Sequence, residues 1–165
     1  MKFQAALLVV KNMERSVKFY KEVLGLRVTM DLGANVTLTG GVALQTQESW
    51  CEFISKDLQS ISFGGNAAEL YFEEDKFDDF LKKLAAIKGI FYVHPVQQYS
   101  WGQRVIRFYD PDFHILEVGE NMKSVCRRFL DSGMTIEAAA VRMNVPEKFV
   151  RACVCAEPPD CCRSH

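Results

Sequence analysis

No stretch of this 165-residue chain approaches the roughly 20 consecutive apolar residues that a membrane-spanning helix requires. The early apolar run AALLVV is cut short by Lys11 and Asn12 and precedes no small-residue cleavage site. It reads as a buried strand and not as a secretion signal. Net charge is also nearly absent. Twenty Lys and Arg face 21 Asp and Glu, a formal charge of -1, which excludes a global attraction to nucleic acid or anionic membrane while allowing a local basic patch. These absences point to a cytoplasmic protein with no membrane partner, and they argue against nucleic acid.

Cysteine is present but unevenly placed. Cys51 and Cys126 stand alone, whereas Cys153, Cys155, Cys161 and Cys162 crowd the last 13 residues. Without an export signal a disulfide framework is not expected, because the cytosol keeps thiols reduced. Metal knuckles separate paired cysteines by about two to four residues. The CxC and CC of CVCAEPPDCC do not match that spacing, and the segment reads as a flexible tail with reactive thiols.

The residues that are there suit one soluble domain with a small appendage: 48% are hydrophobic and 25% charged, enough for a real core. Phe3 to Val10 reads as a strand. NMERSVKFYKEVLG reads as a helix with Asn12 as cap, Met13, Val17, Tyr20 and Leu24 at helical spacing, and Gly25 as stop. Strands follow near Leu26 to Asp31, Val36 to Thr39 and Val42 to Thr46, then a polar crossover over 47 to 62 without a defined reading. A second copy begins after Gly65. Ala67 to Glu73 is a strand, DKFDDFLKKLAAIKG a helix, and Ile90 to Val93 a strand. HPVQQYSWGQR is a loop, and Val105 to Tyr109 and Phe113 to Val118 pair across a DPD turn. Strand, helix and three strands thus occur twice. The fold class is α+β, with paired βαβββ modules.

Two segments carry a resemblance. SVKFYKEVLGLRV is similar to the first-helix segment of the glyoxalase/bleomycin-resistance/extradiol-dioxygenase superfamily, the vicinal oxygen chelate proteins. WGQRVIRFYDPDFHILEVGE is similar to its closing hairpin, with Phe113 where a glycine is usual. The resemblance frames residues 3 to 120. It implies a pocket for a small organic molecule, homodimers in which modules pair across a two-fold axis, and activities from isomerisation to plain drug sequestration. Fold resemblance does not choose among these.

The metalloenzymes of that superfamily hold a divalent ion (Mg, Mn, Zn or Ni) with four inward side chains, two per module. Residue by residue, the resemblance puts these positions on Ala5, Gln45, Glu69 and Glu117. Alanine offers no ligand. Gln45, Glu69 and Glu117 with waters suit a hard ion such as Mg or Mn, whereas Zn or Ni prefers an imidazole. Two adjacent carboxylates would repel unless a cation, a shared proton, or an ion pair with Arg104 or Arg107 relieved them. With a metal, Glu117 would be the catalytic base and Glu69 its ligand or acid partner.

Tyr99 and Trp101 offer aromatic surface for a substrate, and Gly102 gives their loop room to approach the sheet. Arg104 and Arg107 are candidate grips for a ligand carboxylate, but strand alternation allows only one of them to face it. Asp110, Pro111 and Asp112 read as turn formers. His114 falls on the face opposite Glu117, and His94 reads as a loop residue near the pocket mouth.

We read residues 1–120 as the two-module domain, 121–154 as three short helices of helix-turn-helix type, and 155–165 as a Cys-rich tail. The last of the three helices, PEKFVRACV, offers only Lys148 and Arg151 for reading DNA. Arg127, Arg128 and Arg142 are offset by Asp131, Glu137 and Glu147. Packing on the sheet domain or on a partner chain is the better expectation. Three readings stay open: a metal-dependent lyase or isomerase, a non-catalytic ligand-binding protein, and a ligand-sensing regulator.

Overall fold

The computed structural model of the chain describes residues 1–155, so the expected tail beyond Cys155 lies outside the described residues. In β1 (Ala6–Val10), Leu8 and Val10 turn into the core while Leu7 points away, the two-residue period of a strand covered on one side. α1 (Met13–Leu24) begins where Asn12 accepts the Arg15 N–H and ends at Gly25, whose φ of 70° closes the last turn. β2 (Val28–Asp31), β3 (Asn35–Leu38) and β4 (Val42–Thr46) complete a sheet of order β1-β4-β3-β2, with β1 parallel to β4. The crossover resolves into α2 (Gln47–Ile54) and a 3-10 turn at Leu58–Ser60.

The second module repeats this connectivity. β5 (Glu69–Glu74), α3 (Phe77–Ala86), β6 (Tyr92–Gln98), β7 (Arg104–Tyr109) and β8 (Ile115–Glu120) form a sheet of order β5-β8-β7-β6. Both expected βαβββ modules are therefore present. One segment differs: His94 to Gln98, read as loop, belongs to β6. Its pairing with β7 slips register on both sides of His94, and Pro95 sits on this edge strand where a missing N–H costs little. Irregular pairing removes the alternation by which a strand is recognised.

One apolar core spans both modules, joining Val10, Tyr20 and Leu44 to Phe80, Phe108 and Leu116. The turn between β7 and β8 clamps them together. Asp110 accepts the N–H groups of Asp112 and His114, each at 2.9 Å, and the Tyr20 hydroxyl at 2.9 Å. Its Oδ2 also lies 2.8 Å from His114 Nδ1. Asp112, wholly buried, takes Arg15 Nη2 at 2.6 Å, the Lys11 N–H at 3.2 Å and the Ser16 hydroxyl at 3.4 Å. These turn formers thus also bind α1 to the other module. Burial pushes the Asp110 carboxyl up, but the His114 ring and the two backbone N–H groups outweigh it and hold it below its usual range. Burial, and then the Asp110 charge, push the Tyr20 hydroxyl well up, so it stays a donor.

After β8 come α4 (Met122–Asp131), α5 (Ile136–Met143) and α6 (Glu147–Cys155), an all-helical extension with its own core of Val125, Phe129, Ala139, Met143 and Val150. Asn121 and Thr135 cap α4 and α5, and Asn144 ends α5 at a left-handed φ of 54°. Too short to persist alone, these helices hold one another and the sheet. Glu120, nearly buried, accepts Arg104 from β7 at 3.1 and 3.2 Å and Arg128 from α4 at 2.8 and 3.3 Å.

Replacing Asp112 by alanine is expected to cost about 2–3 kcal/mol in urea denaturation, because Lys11 N–H and the Ser16 hydroxyl lose a buried acceptor. A loss below ~1 kcal/mol would refute the clamp. Asp110 predicts a pH dependence as well. Its folded pKa lies below the unfolded one, so its contribution is complete above about pH 4 and disappears as pH falls through the folded value. Melting curves of Asp110→Asn should therefore depend less on pH than the parent's over the acid limb.

Candidate functional site

Strand alternation turns one face of the second sheet away from the core. Leu70, Phe72, Ile106, Phe108, Leu116 and Val118 pack inward, so Glu69, Tyr71, Arg107 and Glu117 lie on the open face. Register brings them together: Tyr71 pairs with Glu117, and Glu117 with Arg107, while Glu69 is two residues before Tyr71.

Arg107 is the centre of this face. Its Nε donates to Glu69 at 2.8 Å, its Nη2 is in ion-pair contact with Glu117, and its Nη1 donates to the Tyr99 hydroxyl at 2.6 Å. His94 Nε2 lies 3.3 Å from the same Nη1. Burial disfavours the guanidinium charge, but Glu69 and Tyr99 outweigh it and raise its pKa. Glu117 is 6% exposed, and its Oε2 has no well-formed hydrogen bond beyond that ion-pair contact. The two carboxylates are thus relieved by a cation that the chain itself supplies.

Tyr99 and Trp101 stack with centroids 4.4 Å apart beside this cluster. The turn that carries them is closed by Tyr99 N–H to Gln103 O at 2.9 Å and Gly102 N–H to Tyr99 O at 2.8 Å. Gln103 accepts the Trp101 indole N–H at 3.2 Å and donates to the Tyr71 hydroxyl at 2.9 Å. Tyr71 in turn donates to Glu73 at 3.0 Å, and burial, then Glu73, raise its pKa. The result is a half-exposed surface of three aromatic rings around one compensated charge cluster.

Other expected site residues lie elsewhere. Arg104 is on the opposite side of the sheet, 5.2 Å from the Phe77 ring centroid and ion-paired to Asp78 and Glu120. It is not available to a ligand on the open face. Gln45 is on the first sheet, buried under α2, where it accepts Asn35 Nδ2 at 2.6 Å and bonds to Ser49. Ala5 precedes β1 and brings no donor atom, and the β1 residue paired with Gln45 is Val9. His114 is held by Asp110 in the turn. Among the described residues no group of three or more His, Cys, Asp or Glu is placed to hold a metal ion. The residues at the four positions do not fit a divalent ion: one is apolar, one is committed to amide and hydroxyl partners, and two hold Arg107.

Sequence reasoning missed Tyr71 and Gln103 and left His94 at the edge. Tyr71 was within reach, since alternation puts it on the same face as Glu69. Gln103 and His94 depend on a loop and a slipped register that no local pattern encodes.

Comparison with known proteins agrees with this architecture. The chain is 26% identical over 126 residues to the uncharacterized protein YraH of Bacillus subtilis (strain 168), covering 72% of this chain and 97% of that one. A crystal structure of a protein of unknown function from Agrobacterium tumefaciens str. C58 is 35% identical, with a TM-score of 0.65 over 74% of this chain and 95% of that one. A glyoxalase/bleomycin resistance protein/dioxygenase from Nocardioides shares the fold at 22% identity and a TM-score of 0.60, over 73% and 83% of the two chains. A family model described as a glyoxalase-like domain matches residues 3–123. With two βαβββ modules and that match across most of its length, the chain belongs to the glyoxalase-like domain family of the glyoxalase/bleomycin-resistance superfamily.

Proposed function

We propose that this protein binds a small organic molecule on the open face of its second sheet, against Tyr99, Trp101 and Tyr71, without a divalent ion. The observation that carries this reading is the place of Arg107, whose guanidinium fills the space between Glu69 and Glu117 and is itself held by Tyr99. A metal-dependent isomerase would need those carboxylates for the ion and for proton abstraction. Here both compensate a fixed arginine, a preorganised arrangement suited to orienting a polar group of a ligand whose planar part lies on the aromatic rings. The reading therefore belongs with the ligand-sequestering branch of the superfamily. In it, Glu69 and Glu117 hold Arg107.

Two measurements test it. Titration of the purified protein with Mn²⁺, followed by electron paramagnetic resonance, is expected to show no stoichiometric site. Stoichiometric uptake abolished by Glu117→Ala would overturn the reading. The fluorescent aromatic anion 8-anilinonaphthalene-1-sulfonate is expected to bind saturably and to lose about tenfold in affinity in Trp101→Ala, the order of one lost aromatic contact. No saturable binding would count against the aromatic surface as a ligand site.

The charge cluster predicts a stability effect too. Arg107→Ala should cost about 3 kcal/mol by leaving the Glu117 carboxylate buried and uncompensated, and adding Glu117→Gln should return part of that loss. Additive destabilisation in urea melts would refute the coupling.

We also propose that the working form is a homodimer. β1 and β5 are edge strands of their sheets, and Leu7, Met30, Tyr71 and Val96 are exposed apolar or aromatic surface. Light scattering should give twice the 18.8 kDa chain mass. A monomer mass that persists across roughly a hundredfold range of concentration would defeat this proposal.

A further inference from the structure

Gly102 is where the C-terminal helices meet the ligand face. Its φ is 91°, and a β-carbon built on it would stand 2.1 Å from Cζ of Phe129 and 2.6 Å from Cε2. The phenyl ring of α4 therefore occupies the space that any other side chain at position 102 would need. The preceding residue of α4 grips the same point, since Arg128 Nη2 donates to the Gly102 carbonyl at 2.7 Å. Arg128 is anchored in turn by Glu120, whose carboxyl lies below its usual range because Arg104 and Arg128 outweigh the effect of burial.

The residues on either side of Gly102 carry the proposed ligand surface. Trp101 precedes it and stacks on Tyr99, whose hydroxyl takes the Arg107 hydrogen bond. Gln103 follows it and binds both Trp101 and Tyr71. Two consecutive α4 residues thus hold one side of a turn whose other side is the aromatic face. The family match stops at residue 123, just after α4 begins, so this grip comes from outside the matched part of the chain.

We propose that α4 is part of the ligand site: Phe129 and Arg128 are positioning residues that fix the Tyr99–Trp101 pair, so the helical extension sets the geometry with which the protein meets its ligand. The inference deepens the proposed binding function and rests on it for its meaning, but the placement of Trp101 can be read without any ligand. Trp50→Phe leaves Trp101 as the sole tryptophan and serves as the parent.

In that background Phe129→Ala is expected to red-shift Trp101 emission and raise its acrylamide quenching constant about twofold, as a released turn gains solvent. Phe129→Leu, which refills the space beside Gly102, is expected to restore most of the parent signal. Val150→Ala weakens the same helical core without touching the turn, and should leave Trp101 emission unchanged. Arg128→Gln, which keeps the phenyl ring, should shift Trp101 in the same direction by a smaller amount and remains readable if Phe129→Ala does not fold. An unmoved Trp101 in the Phe129 and Arg128 variants, or an equal shift in Val150→Ala, would overturn the proposal. Titration of each variant with 8-anilinonaphthalene-1-sulfonate separates the two ideas. Weaker binding in proportion to the Trp101 shift upholds both, whereas a Trp101 shift with no saturable binding even in the parent upholds the positioning role and overturns the ligand reading.

Discussion

A carboxylate taken out of water must find compensation nearby, and the order of this structure follows from where four of them are buried. Asp110 and Asp112 sit in the turn between β7 and β8, Glu117 in the middle of β8 and Glu120 at its end. The two in the turn recruit partners from α1, and the two in β8 recruit them from β7 and α4. Asp112 draws Arg15 and the start of α1 across from the first module, and Asp110 draws Tyr20. Glu117 faces Arg107 on the open face, while Glu120 gathers Arg104 and Arg128 and so fastens the helical extension. A single hairpin thus organises the joint between modules, the charge centre of the site and the seat of the appendage.

That economy has a consequence for chemistry. Glu69 and Glu117 lie on one face of the second sheet, and the chain itself supplies the cation that compensates them, as the Arg107 side chain. A guanidinium is planar, permanently charged and directional, so it orders its surroundings through fixed hydrogen bonds and offers no open coordination position. The neighbouring Tyr99–Trp101 pair then provides planar apolar surface at the edge of the charge cluster. The α4 residues Arg128 and Phe129 meet the turn that carries this pair at Gly102.

The strain at Phe113 fits the same pattern. Its φ of 67° is a left-handed conformation that a β-carbon makes costly by about 1–2 kcal/mol, yet the turn keeps it because Asp110 binds the backbone on both sides. Tyr109 and Phe91 flank the Phe113 ring, with centroids 5.4 and 5.9 Å away, and recover part of that cost through contact.

Much of the fold was legible in the sequence. The caps Asn12 and Thr135, the stop at Gly25 and the repeated strand–helix–three-strand order are local signals, each set by backbone geometry within a few residues. Alternation also separated Arg104 from Arg107 onto opposite faces, since side chains three apart on a regular strand cannot share one. The structure alone decided which arginine reaches the acids, because that depends on the β7–β8 register and not on spacing. Likewise, only packing could show that His94 to Gln98 form a strand with slipped register, that Gln45 is buried under α2, and that Phe129 fills the space beside Gly102. Periodicity and capping act between neighbours in the chain and are written in its sequence; compensation of buried charge and exclusion of a side chain by a distant ring act between neighbours in space and arise only when the chain folds.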